Sequence, residues 1–296
     1  MRRRLLTAAL GIPGMLLLAY LGGPFWTLAV GVLSLAGYYE FYRLAGGGLA
    51  SGAGSPEPEA QPELGPASET GSGQCHPGPT SHLQPPTSST GLWFGVVMNG
   101  LLILAAHLGG EAGLLRALVL AGLICAAAPV FLFRSSPWVW AGIFWGILYT
   151  GGFLGLAVPL RALGGNWHYL LFVLLLTWAN DTTAFFVGRR WGRHPLTLSL
   201  SPGKTWEGAA GGVGGCLLVA LVAAWVWPWS PGHLLPLAVL LAAGGQVGDL
   251  VESAWKRAAG VKDAGTILAG HGGFLDRFDS FIFNVPLAFY YYPWLG

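Results

Sequence analysis

The stretch SAWKRAAGVKDAGTILAGHGGFLDRFDS, Ser253 to Ser280, holds three aspartates, two lysines, two arginines and a histidine, and apolar runs flank it on both sides. The chain as a whole has 296 residues, of which 9% are charged and 53% hydrophobic. A soluble domain carries about 25% charged residues. Repeated apolar runs near 20 residues long are the mark of a polytopic membrane protein. The quoted stretch is therefore a polar segment before the last of several spans, and so dense a cluster asks for a chemical reason.

Working outward, the apolar runs give nine candidate spans, near 5–22, 25–44, 91–109, 113–133, 138–159, 168–188, 208–228, 233–251 and 278–295. The fold class is an all-α polytopic membrane protein of about nine transmembrane helices. Its regions are helices one and two over 1–44, an insertion over 45–90, helices three to five over 91–160, and a C-terminal catalytic region over 161–296. The opening MRRRLLTAALGIPGMLLLAYLGG has the charge and apolar character of a signal peptide. The run extends to Tyr20 and a second follows almost at once, so a retained first span is expected. The 45–90 segment is rich in Gly, Pro, Ser, Glu and Gln. It cannot bury enough apolar surface to offset its ordering entropy, and is expected to be a disordered, tolerated insertion. Cys75, Cys125 and Cys216 show no metal-type spacing, which argues against a zinc site and a disulfide framework.

Lysines and arginines set the expected orientation. With a cytoplasmic N-terminus and nine alternating spans, Arg2, Arg3, Arg4, Arg43, Arg134, Arg189, Arg190, Arg193, Lys204, Lys256, Arg257, Lys262 and Arg277 fall inside, and Arg116 and Arg161 outside. Two polar loops, 189–207 and 252–277, then face the cytosol. Glu40 and Glu111 stand alone at span edges, whereas Asp181, Glu207, Asp249, Glu252, Asp263, Asp276 and Asp279 gather in the C-terminal half. The N-terminal half reads as scaffold and the C-terminal half as the site.

Asp249, Glu252, Ser253 and Lys256 are spaced i, i+3, i+4, i+7 and share one helical face. A carboxylate so near an apolar run needs a cation or water; a pairing of Asp249 with Ser253 or Lys256 is the plain structural account. Asp276 and Asp279 lie one turn apart at the start of the last span, where the helix dipole favours carboxylates. The turn His271-Gly272-Gly273 before them lets backbone amides face an anion. Paired aspartates beside such a turn suit magnesium-bound phosphate, because Mg²⁺ takes a few hard carboxylate oxygens and leaves the rest of its shell to phosphate and water. Lys256-Arg257 and Lys262-Asp263 add charges that would hold phosphate, or face solvent and lipid headgroups.

Pro202-Gly203-Lys204-Thr205 ends like a phosphate-binding loop, but the Walker pattern needs a glycine where Leu198 stands, and a preceding strand. Ser199, Ser201, Lys204 and Thr205 remain phosphate candidates, and Glu207 sits in the first turn of the next helix. Asp181, in TWANDTTAFFVG, is an acid within a span and so a functional candidate, although Asn180, Thr182 and Thr183 could satisfy it structurally.

The run from Ser253 through Lys256-Arg257 and Lys262-Asp263 to His271-Gly272-Gly273, Asp276-Arg277 and Asp279 resembles the signature of CDP-diacylglycerol synthases, also called phosphatidate cytidylyltransferases. LSPGKTWEG and NDTTAFFVG resemble that family's loop and helix. Trp255 and Ala269 depart from it, where an aliphatic residue and a proline are usual. The resemblance implies a multi-pass enzyme of the inner, plasma membrane with its active site facing the cytoplasm. It would join phosphatidic acid to CTP, giving CDP-diacylglycerol and pyrophosphate, with Mg²⁺ and K⁺ as a second ion. The metal-holding pair it implies is Asp249 and Asp276. Asp263 and Asp279 would assist, Lys204, Lys256, Arg257, Lys262 and Arg277 would hold phosphates, and Asp181 would line the cavity floor. A homodimer is compatible with this reading, and no nucleic-acid partner is expected. The alternatives are a CTP-dependent polyprenol or phytol kinase and a cation-coupled transporter using Asp181, Asp249 and Asp276. The gathering of acids at one membrane face, and the lack of a repeat between the halves, argue against the transporter.

Overall fold

The computed structural model describes residues 2–47, 89–132, 136–197, 200–261, 264–265 and 273–295. The body of the 45–90 insertion lies outside the described residues; its two ends, 45–47 and 89–90, are helical continuations of the neighbouring elements.

The architecture is helical. In chain order come α1 (Arg2–Leu21), α2 (Gly23–Gly47), α3 (Ser89–Phe131), α4 (Pro137–Ile147), a π-helical turn (Leu148–Phe153), α5 (Ala157–Ala162) and α6 (His168–Trp191). A hairpin of β1 (Pro195–Thr197) and β2 (Ser201–Thr205) leads into α7 (Trp206–Val226), α8 (Pro231–Ala258) and α9 (Leu275–Tyr291). The hairpin is antiparallel, with Pro195 opposite Thr205 and Thr197 opposite Ser201. An all-α reading did not foresee it. Within α3, Gly110 takes φ 58° and ψ −143°, a conformation that favours glycine, and it breaks the long helix into two.

Among the described residues, five helical stretches are long and apolar enough to cross a membrane: Ser89–Phe131, Pro137–Gly165, His168–Trp191, Trp206–Val226 and Pro231–Ala258. Their outward faces are apolar too. Leu108, Phe131 and Trp225 are at least three-quarters exposed. Such a surface suits lipid as the solvent, and the chain is a helical membrane protein.

Lipid supplies little hydrophobic drive between helices, so close backbone packing and buried polar contacts do more of the holding. On α7, a Cβ added to Gly211 would fall 2.5 Å from Val187, and one on Gly215 would fall 2.3 Å from Thr183 Oγ1. The two residues are one turn apart and seat α7 directly on α6. On α8, a Cβ on Gly244 would lie 2.3 Å from Leu287, and one on Gly248 would lie 2.7 Å from the Asp279 carbonyl. That stripe brings α9 onto α8. Across the first half of the chain, Asn99 Oδ1 accepts from Ser34 Oγ at 2.9 Å and Thr150 Oγ1 at 3.0 Å, tying α2, α3 and the π-helical turn.

α8 continues to Ala258, past the expected span end at 251. Lys256 and Arg257 are therefore in the last turn of a helix, not on a loop. Cations there complement the carbonyl end of the helix dipole.

Candidate active site

The site lies where α6, the hairpin, α8 and α9 meet. α8 carries Asp249, Glu252 and Lys256 on one face, as their spacing requires. The glycine stripe beside them lets α9 come close enough to present Asp276 and Asp279. Oxygens of Asp249, Glu252 and Asp279 lie within 4.8 Å of one another. Glu252 and Asp279 are buried, and Glu252 Oε1 has no hydrogen-bond partner among the described residues.

Lys256 bridges two acids. Its Nζ donates to Glu252 Oε2 at 2.7 Å and to Asp276 Oδ1 at 2.6 Å. The other Asp276 oxygen accepts from Gly273 N at 2.7 Å and Ala264 N at 3.1 Å. The Gly273 amide, expected to face an anion, instead holds Asp276. Lys204, at the end of β2, pairs with Asp249. This differs from a pairing of Asp249 with Ser253 or Lys256, and it joins the hairpin to the acid cluster.

Two cavities adjoin here. One, of about 340 Å³, is lined by Asp181, Phe185, Arg189, Lys204, Gln246 and Asp249 among others, and by the apolar Ala184 and Leu196. The other, of about 330 Å³, is lined by Asp181, Asp249, Glu252, Lys256, Asp276, Arg277, Asp279 and Ser280. Asp181 and Asp249 border both. The single hydroxyl proton of Ser280 is shared between Gly245 O at 3.1 Å and Asp181 Oδ1 at 3.4 Å. A mixed polar and apolar chamber thus meets a charged one across two carboxylates.

The other expected residues are placed differently. Thr205 caps α7 by accepting from Gly208 N at 3.1 Å, and it lines the larger cavity. Ser201 belongs to the hairpin, where its amide donates to Thr197 Oγ1 at 3.3 Å. Arg257 Nε donates to Leu200 O at 3.3 Å, tying the end of α8 to the hairpin, and Arg257 lines neither cavity. Glu207, in the first turn of α7, accepts from the amides of Arg193 and His194 and pairs with the His194 ring at 2.6 Å. Lys262, Asp263, His271 and Gly272, and Ser199 as well, lie outside the described residues.

Sequence reasoning missed three contributors. Glu252 was seen only as a member of a helical face, yet it stands at the centre of the acid cluster. Glu40, an isolated acid on α2, accepts from Leu275 N at 2.8 Å, so the first half of the chain reaches the site. Tyr149, on the π-helical turn, is buried with a hydroxyl that has no partner among the described residues. It packs against Phe283, one turn beyond Asp279 on α9, with ring centroids 6.1 Å apart. π-Helical turns often mark functional sites, but this one is visible only in the structure, so the sequence carries no signal for Tyr149.

Residues 80–295 match the model of the cytidylyltransferase family. The phosphatidate cytidylyltransferase of Staphylococcus saprophyticus is 48% identical over 129 residues, covering 40% of this chain and 47% of that protein. The same enzyme of Staphylococcus haemolyticus is 48% identical over 122 residues, and that of Staphylococcus aureus strain COL 47% over 122 residues, with the same coverage. The chain spans about half the length of these curated relatives.

Proposed function

Because this chain belongs to the cytidylyltransferase family, we propose that it is a phosphatidate cytidylyltransferase, joining CTP and phosphatidic acid to give CDP-diacylglycerol and pyrophosphate. The observation that carries this reading is the carboxylate cluster of Asp249, Glu252 and Asp279, ringed by Lys204, Lys256 and Arg277. It adjoins a partly apolar chamber beside an apolar helix.

The reaction needs no strong base. A phosphatidate oxygen, already ionised, attacks the α-phosphorus of CTP; the new P–O bond forms as the bond to the β-phosphate oxygen breaks and pyrophosphate leaves. The barrier is repulsion between like charges, which cations relieve. Hard oxygens so close together, one of them buried and unpartnered, fit Mg²⁺. Bound there, Mg²⁺ would screen the phosphates and favour the leaving pyrophosphate. Asp249, Glu252 and Asp279 are its nearest holders in this reading. Asp276, the other member of the expected pair with Asp249, is tied to Lys256 and to the Gly273 and Ala264 amides, and would stand beside the three as a further carboxylate for the ion. Lys204, Lys256 and Arg277 hold phosphate oxygens, and Asp181 orients groups at the border of the two chambers. K⁺ is the second ion of the proposal.

The wider proposal keeps nine spans, a cytoplasmic N-terminus, and a site opening to the cytosol in the plasma membrane. The arginine and lysine distribution supports it. The chain divides into scaffold helices over 1–44 and 91–160 and a catalytic region over 161–296. A second copy of the chain in a homodimer fits the broad apolar exterior.

The test is pyrophosphate release by the detergent-solubilised protein with phosphatidic acid, CTP and Mg²⁺. Release that requires both lipid and metal, and is lost in Asp276→Asn, is expected. Lipid-independent release, or a phosphorylated polyprenol as product, would overturn the assignment.

A further inference from the structure

Glu40 is 1% exposed, a buried carboxylate on α2, in the half of the chain that carries none of the cluster acids. Its Oε2 accepts from Leu275 N at 2.8 Å. Leu275 is the first residue of α9, and its amide is one of the four donors that a helix start leaves without an internal partner. Phe274, preceding it, has no side-chain oxygen to cap them. Glu40 therefore caps α9 from 235 residues away, and its charge suits the positive end of the helix dipole.

The chain around α9 closes tightly on this carboxylate. A Cβ on Gly265 would fall 2.7 Å from Glu40 Oε1, and one on Gly273 would fall 2.8 Å from Oε2. Glycine at both places lets the segments before α9 fold against Glu40. The same two segments supply the amides of Ala264 and Gly273 that hold Asp276 Oδ2. The residue after Glu40 grips the other wall of the site. Phe41 packs edge-on against Trp255 of α8, centroids 5.2 Å apart, and Trp255 adjoins Lys256.

We propose that Glu40 is a positioning residue for the active site: by fixing the start of α9 and the glycine segments, it holds Asp276 where it faces Lys256. What matters on this account is an oxygen at the right reach, not charge alone. The kinetic consequence rests on the cytidylyltransferase reading; the structural one does not.

Three variants of the full chain separate the terms. Glu40→Gln keeps the reach and an acceptor oxygen but loses the charge. Glu40→Asp keeps the charge but is one methylene short. Glu40→Ala loses both. Each is measured by hydrogen–deuterium exchange over 264–280 and by steady-state pyrophosphate release. A misplacement of roughly 1 Å costs about 100-fold in rate. Glu40→Asp and Glu40→Ala are expected to lose about ten- to a hundred-fold in kcat, with both KM values within about two-fold of wild type. The Leu275 amide should exchange faster in both. Glu40→Gln should stay near wild type in rate and exchange. Should Glu40→Ala not fold, the Asp and Gln pair still decides. Glu40→Asp with wild-type kcat and exchange, or Glu40→Gln as impaired as Glu40→Asp, would overturn the proposal. A wild type that releases no pyrophosphate while the exchange pattern holds would point instead to failure of the enzymatic reading.

Discussion

Lys204, the penultimate residue of β2, is ion-paired to Asp249 on α8, so the hairpin closes directly over the acid cluster. The two side chains are about a quarter and a third exposed. Pairs so open to water add little to stability, which makes the pairing a matter of chemistry more than of folding. Lys204→Met should leave the thermal midpoint nearly unchanged while lowering kcat/KM by about 100-fold, the scale of losing one charge-stabilising group. Lys204→Met combined with Asp249→Asn should fall well short of the product of the single losses. A fully multiplicative double variant would separate the two residues functionally.

Metal dependence should track the three clustered carboxylates. Removal of divalent ions by a chelator is expected to abolish turnover, and Mg²⁺ to restore it. Glu252→Gln and Asp279→Asn should each raise the half-activating Mg²⁺ concentration by about ten-fold or more. A paramagnetic probe such as Mn²⁺ should bind correspondingly more weakly in the absence of substrates. Unchanged metal titrations in both variants would move the cation elsewhere.

The glycine seam makes a sharp stability contrast within one helix. Gly211→Ala, with its Cβ 2.5 Å from Val187, should destabilise the protein by about 1–3 kcal/mol, as overpacking does. Gly214→Ala, three residues on, meets nothing within 4 Å and should be neutral or stabilising by up to about 1 kcal/mol. Thermal unfolding in one detergent compares them directly. Equal effects would remove the close-contact explanation.

Asn99 offers the converse case, a polar contact that serves only the fold. Asn99→Leu removes the acceptor shared by Ser34 and Thr150. It is expected to cost about 1–2 kcal/mol of stability, as buried polar contacts between membrane helices do, with kcat unaltered below the unfolding transition. A fall in kcat would tie this network to the site.

Much of this molecule was legible in its sequence. Apolar runs report helices because a span must be apolar along its length, and the i, i+3, i+7 spacing of Asp249, Glu252 and Lys256 states outright that they share a face. What the sequence could not show is what lies opposite that face. Lys256 meets Asp276 and Lys204 meets Asp249 only after α9 and the hairpin are brought in, and no local pattern names those partners. Glu40 was read as an isolated acid for the same reason: its significance lies in an amide 235 residues away. The hairpin was hidden because PGKT carries no alternating apolar pattern, and a three-residue strand leaves little trace. The helical reach of Lys256 and Arg257 was hidden by their charge, which ends an apolar run without ending a helix.

The glycine seam between α6 and α7 also bears on how the molecule moves. At that seam only the β-branched side chains of Val187 and Thr183, stiff at χ1, stand between the two backbones at Gly211 and Gly215, so little can swing aside to widen the gap. The larger chamber has α6 and α7 as walls, so it can dilate there only if a whole helix shifts against its neighbour. Collective shifts of that kind run on microsecond to millisecond timescales, far slower than side-chain flips. Admission and release through that wall would therefore be a matter of helices parting, and the pace of the cycle could be set by mechanics before it is set by bond-making.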